Sequence, residues 1–259
     1  MLLENRVVIV SGIGPGMGRE ISLAVARHGA HVGLAARTAS ALESVAADVR
    51  ALGRQALCVP TDIAQADQCQ HLADIACAEF GHIDVLVNNA FKGGLEPTTE
   101  EASLEEWRKI FDVNVFGSIR LSQAVIPIMK AQGGGSIIFI NSMSMRIIEP
   151  RFGGYAASKG ALMTAAQTMA KELGVYNIRV NSVVPGYIWG PALERYFRTL
   201  ATQQHTTPEA VYAQIAARTA LNHIQTSAEI ADAVVFFASD LSRVITGQAL
   251  DVNGGHYFH

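Results

Sequence analysis

Tyr155 and Lys159 stand four residues apart in Tyr155-Ala156-Ala157-Ser158-Lys159, at the head of a long helical stretch. Positions i and i+4 share one helix face, so the phenol and the ammonium project together. A phenol of pKa about 10 is a poor base at neutral pH. Lowering it by two to three units takes roughly 3–4 kcal/mol of differential stabilisation. The ammonium and a second positive charge in a partly dry site would supply that. Tyr155 could then exchange a proton with a substrate oxygen. Upstream, Ser142 ends a strand-like run in Ile140-Asn141-Ser142-Met143-Ser144. Its hydroxyl can hold the same oxygen against the tyrosine, and Ser144 offers a second polar contact.

A second constellation lies near the N-terminus. Ser11-Gly12-Ile13-Gly14-Pro15-Gly16-Met17-Gly18 follows the first strand-like run and opens a helix. Strand, glycine turn and helix make a phosphate cradle: glycines permit close backbone approach, and the helix start presents free N–H groups to a pyrophosphate. The second strand ends in Leu34-Ala35-Ala36-Arg37-Thr38. An acid there would hold the ribose 2′-hydroxyl of NAD. Ala36 removes that acid, and Arg37 supplies a guanidinium suited to the 2′-phosphate of NADP. NADP(H) is therefore favoured. NAD(H) stays open, because Arg37 can also stack on adenine.

The elements that must position these residues alternate. Strand-like runs at 7–11, 31–36, 56–60, 83–88, 135–141, 178–184 and 248–252 are separated by helical stretches at 16–28, 39–52, 64–80, 104–131, 155–175, 192–218 and 228–239. Pro127 should end or kink the fourth stretch, and the sixth looks broken. Runs such as Val7–Val10 and Val85–Val87 are apolar throughout, as expected of strands covered on both faces. The expectation is an α/β chain: one doubly wound Rossmann-type domain over residues 1–259, with a seven-stranded parallel sheet flanked by helices.

The chain resembles the ordinary branch, of about 250 residues, of the short-chain dehydrogenase/reductase family, over essentially its whole length. Gly12, Gly16 and Gly18 match the glycine motif. Asn88-Asn89-Ala90 matches the segment after the fourth strand, Asn114 the helix asparagine, and Ser142, Tyr155 and Lys159 the rest of the tetrad. Asp62 resembles the aspartate at the adenine amino group. Pro185-Gly186 matches the turn beside the nicotinamide, and Asn253-Gly254-Gly255 the end of the last strand. The resemblance implies hydride transfer between a nicotinamide and a secondary alcohol or ketone. Asn114 would bind a water linking Lys159 to solvent. Gly12, Gly16, Met17, Gly18, Arg37, Asp62, Ile63, Asn89, Ala90, Tyr155, Lys159, Pro185, Gly186 and Ile188 would meet the cofactor. A homotetramer or homodimer is implied too. Two positions depart from the pattern: Phe91 replaces the usual glycine after Asn-Asn-Ala, and Gly190 replaces a frequent threonine. Gly14 stands where NADP-preferring relatives often carry a second basic or polar contact.

The stretch 187–224 has the length of a lid over the substrate. With Phe91, Ser144, Tyr187 and Trp189 as candidate contacts, it suggests a mostly apolar pocket for an aromatic, alicyclic or steroid-like molecule. Hydrophobic residues make up 49% of the 259 and charged ones 17%, with a net charge of −3. That composition fits a compact protein with a small-molecule substrate and no nucleic-acid partner. No apolar run approaches the ~20 residues of a membrane span. The start lacks a signal-peptide pattern, three cysteines without a CxxC argue against disulfides or zinc, and a cytoplasmic location is expected. No metal is expected. The competing readings are a dinucleotide-binding sensor without turnover and, within the family, a 3-oxoacyl-thioester reductase.

Overall fold

The computed structural model describes residues 1–258. Seven strands form one parallel sheet: β1 (Val7–Ser11), β2 (His31–Ala36), β3 (Ala56–Pro60), β4 (Val85–Asn88), β5 (Gly135–Ile140), β6 (Ile178–Pro185) and β7 (Ala249–Val252), in the order β3-β2-β1-β4-β5-β6-β7. The helices are α1 (Met17–Arg27), α2 (Ala39–Ala51), α3 (Ala66–Phe80), α4 (Leu104–Phe111), α5 (Ser118–Ala131), α6 (Gly153–Leu173), α7 (Pro191–Gln203), α8 (Pro208–Ala216) and α9 (Ser227–Ala238). This is the doubly wound Rossmann-like α/β architecture read from the alternation.

Successive strand residues explain the unbroken apolar runs. Val8 and Val10 face one layer with Ile21, Val45 and Val234, whereas Ile9 faces the other with Leu72, Leu121 and Leu162. Helices α1, α2 and α9 cover one face and α3, α5 and α6 the other, so both sides of each strand are core. The strand order reverses between β1 and β4. There the loops at the carboxyl ends diverge and leave a crevice, the place where ligands enter such sheets.

Two helical readings change. The stretch 104–131 is not one helix with a break at Pro127. Proline sits inside α5, and the interruption comes earlier, as a π-helical turn over Asp112–Gly117. Stretch 192–218 splits into α7 and α8, because Thr207 accepts from the Ala210 N–H and Pro208 begins the next helix. Here Phe197, Val211, Ile215 and Ile224 form a small core of their own.

Candidate active site

The glycine loop is shaped by contact with the end of β4. Gly12 has φ +75°, and a Cβ there would lie 2.5 Å from Ala90 Cα. A Cβ on Gly18 would lie 2.4 Å from the Gly12 carbonyl oxygen. Both positions therefore exclude side chains by backbone contact. The loop is also sewn to Asn89, whose Nδ2 donates to the carbonyls of Ser11 and Gly12, each at 3.0 Å. In contrast, a Cβ on Gly14 or Gly16 would meet open space, and no side chain caps the α1 N-terminus at Gly16. Free N–H groups at a helix start, facing a gap, fit a pyrophosphate.

Two cavities adjoin along the carboxyl edge of the sheet. The larger, about 480 Å³, is lined by Gly12, Arg37, Asp62, Ile63, Asn89 and Ala90 among others. The smaller, about 120 Å³, brings together Met17, Ser142, Tyr155, Lys159, Pro185, Gly186 and Ile188. Asn89 and Phe91 line both. An elongated ligand can thus lie from Arg37 to Tyr155, as a dinucleotide requires. Among the described residues, Arg37 has no ion-pair partner. Asp62 Oδ1 accepts from the Ala64 N–H at 3.0 Å.

Ser142, Tyr155 and Lys159 converge as their spacing suggested. Lys159 is 3% exposed, and its Nζ donates to the Ile140 carbonyl at 2.7 Å. Burial pushes the Lys159 pKa down to about 7. The Tyr155 phenol is raised by burial, opposed by a hydrogen bond from the Ser142 hydroxyl. The Lys159 nitrogen lies 5.7 Å from the centre of the tyrosine ring. Burial, which i, i+4 spacing cannot reveal, thus disfavours the charged form of both side chains. Ser144 Oγ lies 2.9 Å from Ser142 Oγ, which makes Ser144 a neighbour of the serine.

Asn114 sits in the π-helical turn and is fully buried. Its Oδ1 accepts from the Lys92 N–H at 2.7 Å, while Nδ2 donates to the Lys92 carbonyl at 2.8 Å and to Ser158 Oγ at 2.9 Å. Both amide hydrogens are used, so a water at Asn114 would have to donate to one of its oxygens. π turns often mark functional sites.

The substrate side is only partly as read. Phe91 is 63% exposed and stands edge-on to Tyr155, with centroids 6.3 Å apart. Tyr187 stacks on His256 at 5.8 Å and lines neither cavity. Trp189 packs edge-on against Tyr212 at 4.7 Å and beside Phe197 at 5.8 Å. It is thus half-buried against the small core of the α7–α8 unit. Gly93, which the sequence reading missed, packs against the tyrosine: a Cβ there would lie 2.4 Å from Tyr155 Cδ2. The glycine pair at 93–94, soon after the departure at Phe91, was the available signal.

A family model described as Enoyl-(Acyl carrier protein) reductase matches residues 12–257. The chain belongs to the short-chain dehydrogenase/reductase family. This short-chain dehydrogenase/reductase is 34% identical over 253 residues to the 7alpha-hydroxysteroid dehydrogenase of Escherichia coli K12, covering 98% of this chain and 94% of that one. A solved 7 alpha-hydroxysteroid dehydrogenase complexed with NADH and 7-oxo glycochenodeoxycholic acid superposes with a TM-score of 0.88 at 34% identity, covering 98% and 94%. L-sorbose reductase from Gluconobacter frateurii, complexed with NADPH and L-sorbose, gives 0.92 at 29%, covering 99% and 98%. The protein is therefore an oxidoreductase of this family, acting with a nicotinamide cofactor. No helix among the described residues is long and apolar enough to cross a membrane.

Proposed function

We propose that the protein interconverts a secondary alcohol and a ketone, with Tyr155 as the proton carrier, Ser142 holding the substrate oxygen and Lys159 beside them. The observation that carries this reading is the convergence of those three side chains in one small cavity continuous with the glycine-loop groove. A bound nicotinamide supplies the hydride donor or acceptor and, when oxidised, a positive charge. The chain's own contribution is to bind, orient and exclude water. Gly12, Asn89 and Ala90 floor the groove, and the N–H groups of Gly16, Met17 and Gly18 hold the pyrophosphate. Asp62 and Ile63 flank the adenine, and Pro185, Gly186 and Ile188 bound the nicotinamide pocket. The Ser142 hydroxyl, hydrogen-bonded to the phenol, can turn its O–H to donate to a substrate oxygen instead. A proton leaving Lys159 can reach solvent through a water held at Asn114.

Arg37 supports NADP(H) as the preferred dinucleotide: it lines the larger cavity beside Ala36, with no carboxylate at that strand end. Replacing Arg37 with Ala is expected to lower kcat/KM for NADPH about 10- to 100-fold while leaving NADH within about three-fold, as loss of a charge-assisted phosphate contact would. Steady-state kinetics with both cofactors checks this. A wild type that prefers NADH, with the variant unchanged, would contradict the assignment.

Exposed Phe91 beside the reacting phenol supports an apolar substrate, aromatic, alicyclic or steroid-like, over a charged one. The stretch 187–224 would close over it. A panel of alcohols and ketones, read at the nicotinamide absorbance, tests this; turnover of charged or polyol substrates with none of the alicyclic ones would overturn it. We further propose self-association into a dimer or tetramer through the apolar groove of Leu104, Trp107, Phe111 and Phe116, about 330 Å³. The three free cysteines fit a reducing cytoplasm.

A further inference from the structure

We propose that Glu96 is a positioning residue for the reaction: its carboxylate holds the start of α6 and so sets the place and the acidity of the Tyr155 phenol. The inference rests on the reading of Tyr155 as proton carrier. Glu96 lies between β4 and α4, 59 positions from the tyrosine. Its Oε2 accepts the Gly154 N–H and its Oε1 the Tyr155 N–H, each at 3.0 Å. The segment is fastened in return, since the Glu96 N–H donates to the Arg151 carbonyl at 2.8 Å and Arg151 Nε donates to the Glu96 carbonyl at 2.9 Å.

The start of α6 has no local substitute for this carboxylate. Phe152 stands at the capping position with no side-chain bond, and the first turn carries no acidic residue. Four N–H groups at a helix start need acceptors; here a distant carboxylate satisfies two. Glycine at 154 makes room, since a Cβ there would lie 2.8 Å from Glu96 Oε2 and 2.8 Å from Trp107 Cδ1. Three residues before Glu96, the backbone of Gly93 abuts the tyrosine ring. One residue before Gly93, Lys92 is gripped on both its N–H and its carbonyl by Asn114. One short segment therefore touches the phenol ring at one end and the tyrosine backbone at the other.

The charge matters as well as the fit. A helix N-terminus carries a partial positive charge of about half a unit, which favours an anion in the first turn. Tyr155 lies in that turn, and Glu96 opposes the favourable potential with a full negative charge. Removing the charge, even at the loss of one of the two accepted N–H bonds, should make the phenol more acidic. Removing the fit should lower kcat.

The test is the pH profile of kcat for alcohol oxidation in Glu96→Gln, Glu96→Asp and Glu96→Ala, with Tyr155→Phe as control. Glu96→Gln keeps one acceptor for the two N–H groups; it is expected to move the acid limb about half a pH unit toward lower pH, with kcat at the plateau lowered about three- to ten-fold. Glu96→Asp, which keeps charge but shortens the reach, is expected to lose about five- to ten-fold in kcat with the limb unmoved. Glu96→Ala should show both effects, with KM for the alcohol changed less than two-fold. A purely structural cap would lower stability and kcat without moving the limb, and that result would overturn the proposal. So would wild-type kcat in Glu96→Asp, which remains decisive if Glu96→Gln does not fold. Turnover by Tyr155→Phe would instead remove the reading on which the inference rests.

Discussion

Replacing Tyr155 with Phe is expected to lower kcat by about three orders of magnitude while leaving nicotinamide dinucleotide binding within a few-fold of wild type. A positioned general acid–base contributes about 10²- to 10⁴-fold. The change removes one oxygen and leaves the ring, so the contacts of that ring with Gly93 and Phe91 persist. The groove from Arg37 to Ala90 is untouched. Stopped-flow turnover and fluorescence titration of the reduced dinucleotide measure the two quantities separately. A dinucleotide sensor would keep its binding response in this variant and show no turnover in the wild type either.

Lys159 yields the second large effect, with opposite signs for activity and stability. The ordinary lysine pKa of 10.5 falls to about 7 on burial. The unfolded chain therefore binds more protons than the folded one between those values. By linkage, this lysine opposes folding most strongly below about pH 7, and the penalty fades as pH rises toward the ordinary value. At neutral pH the penalty is on the order of 4 kcal/mol. Lys159→Met is close in volume and removes it, at the cost of leaving the Ile140 carbonyl without its 2.7 Å donor, about 1–3 kcal/mol. A net stabilisation of about 1–3 kcal/mol should raise Tm by roughly 3–9 °C at pH 7, and the gap should narrow toward pH 10. Turnover should fall at least a hundred-fold, because the cavity loses its only lysine among the residues lining it. Calorimetry across pH checks the first claim; a variant less stable than wild type at pH 7 would contradict it.

What the sequence made legible was local. The glycine loop, the strand-end Ser142 and the Tyr155–Lys159 pair are short-range patterns whose geometry follows from strand and helix periods. The parallel sheet was readable because Val7–Val10 and Val85–Val87 bury both faces. What was not readable depends on residues distant in the chain. The Glu96 carboxylate reaches α6 across 58 and 59 positions, and the π-helical turn at Asn114 bonds to Lys92 across 22. The aromatic residues of 187–224 carried the right chemistry for a pocket wall, yet Trp189 and Phe197 pack on each other. Spacing says which side chains share a face; it does not say whether that face meets a ligand or another helix. Nor does it give desolvation, which decides the charge on Lys159.

Above all, Tyr155 must lose its proton at working pH, although burial alone raises its pKa. The direct measurement is the tyrosinate difference absorbance of wild type minus Tyr155→Phe, titrated with pH in the presence of the oxidised dinucleotide. One tyrosine is expected to ionise well below the ordinary value of about 10 in the complex, and above it in the protein alone. An unchanged or raised transition in the complex would contradict it.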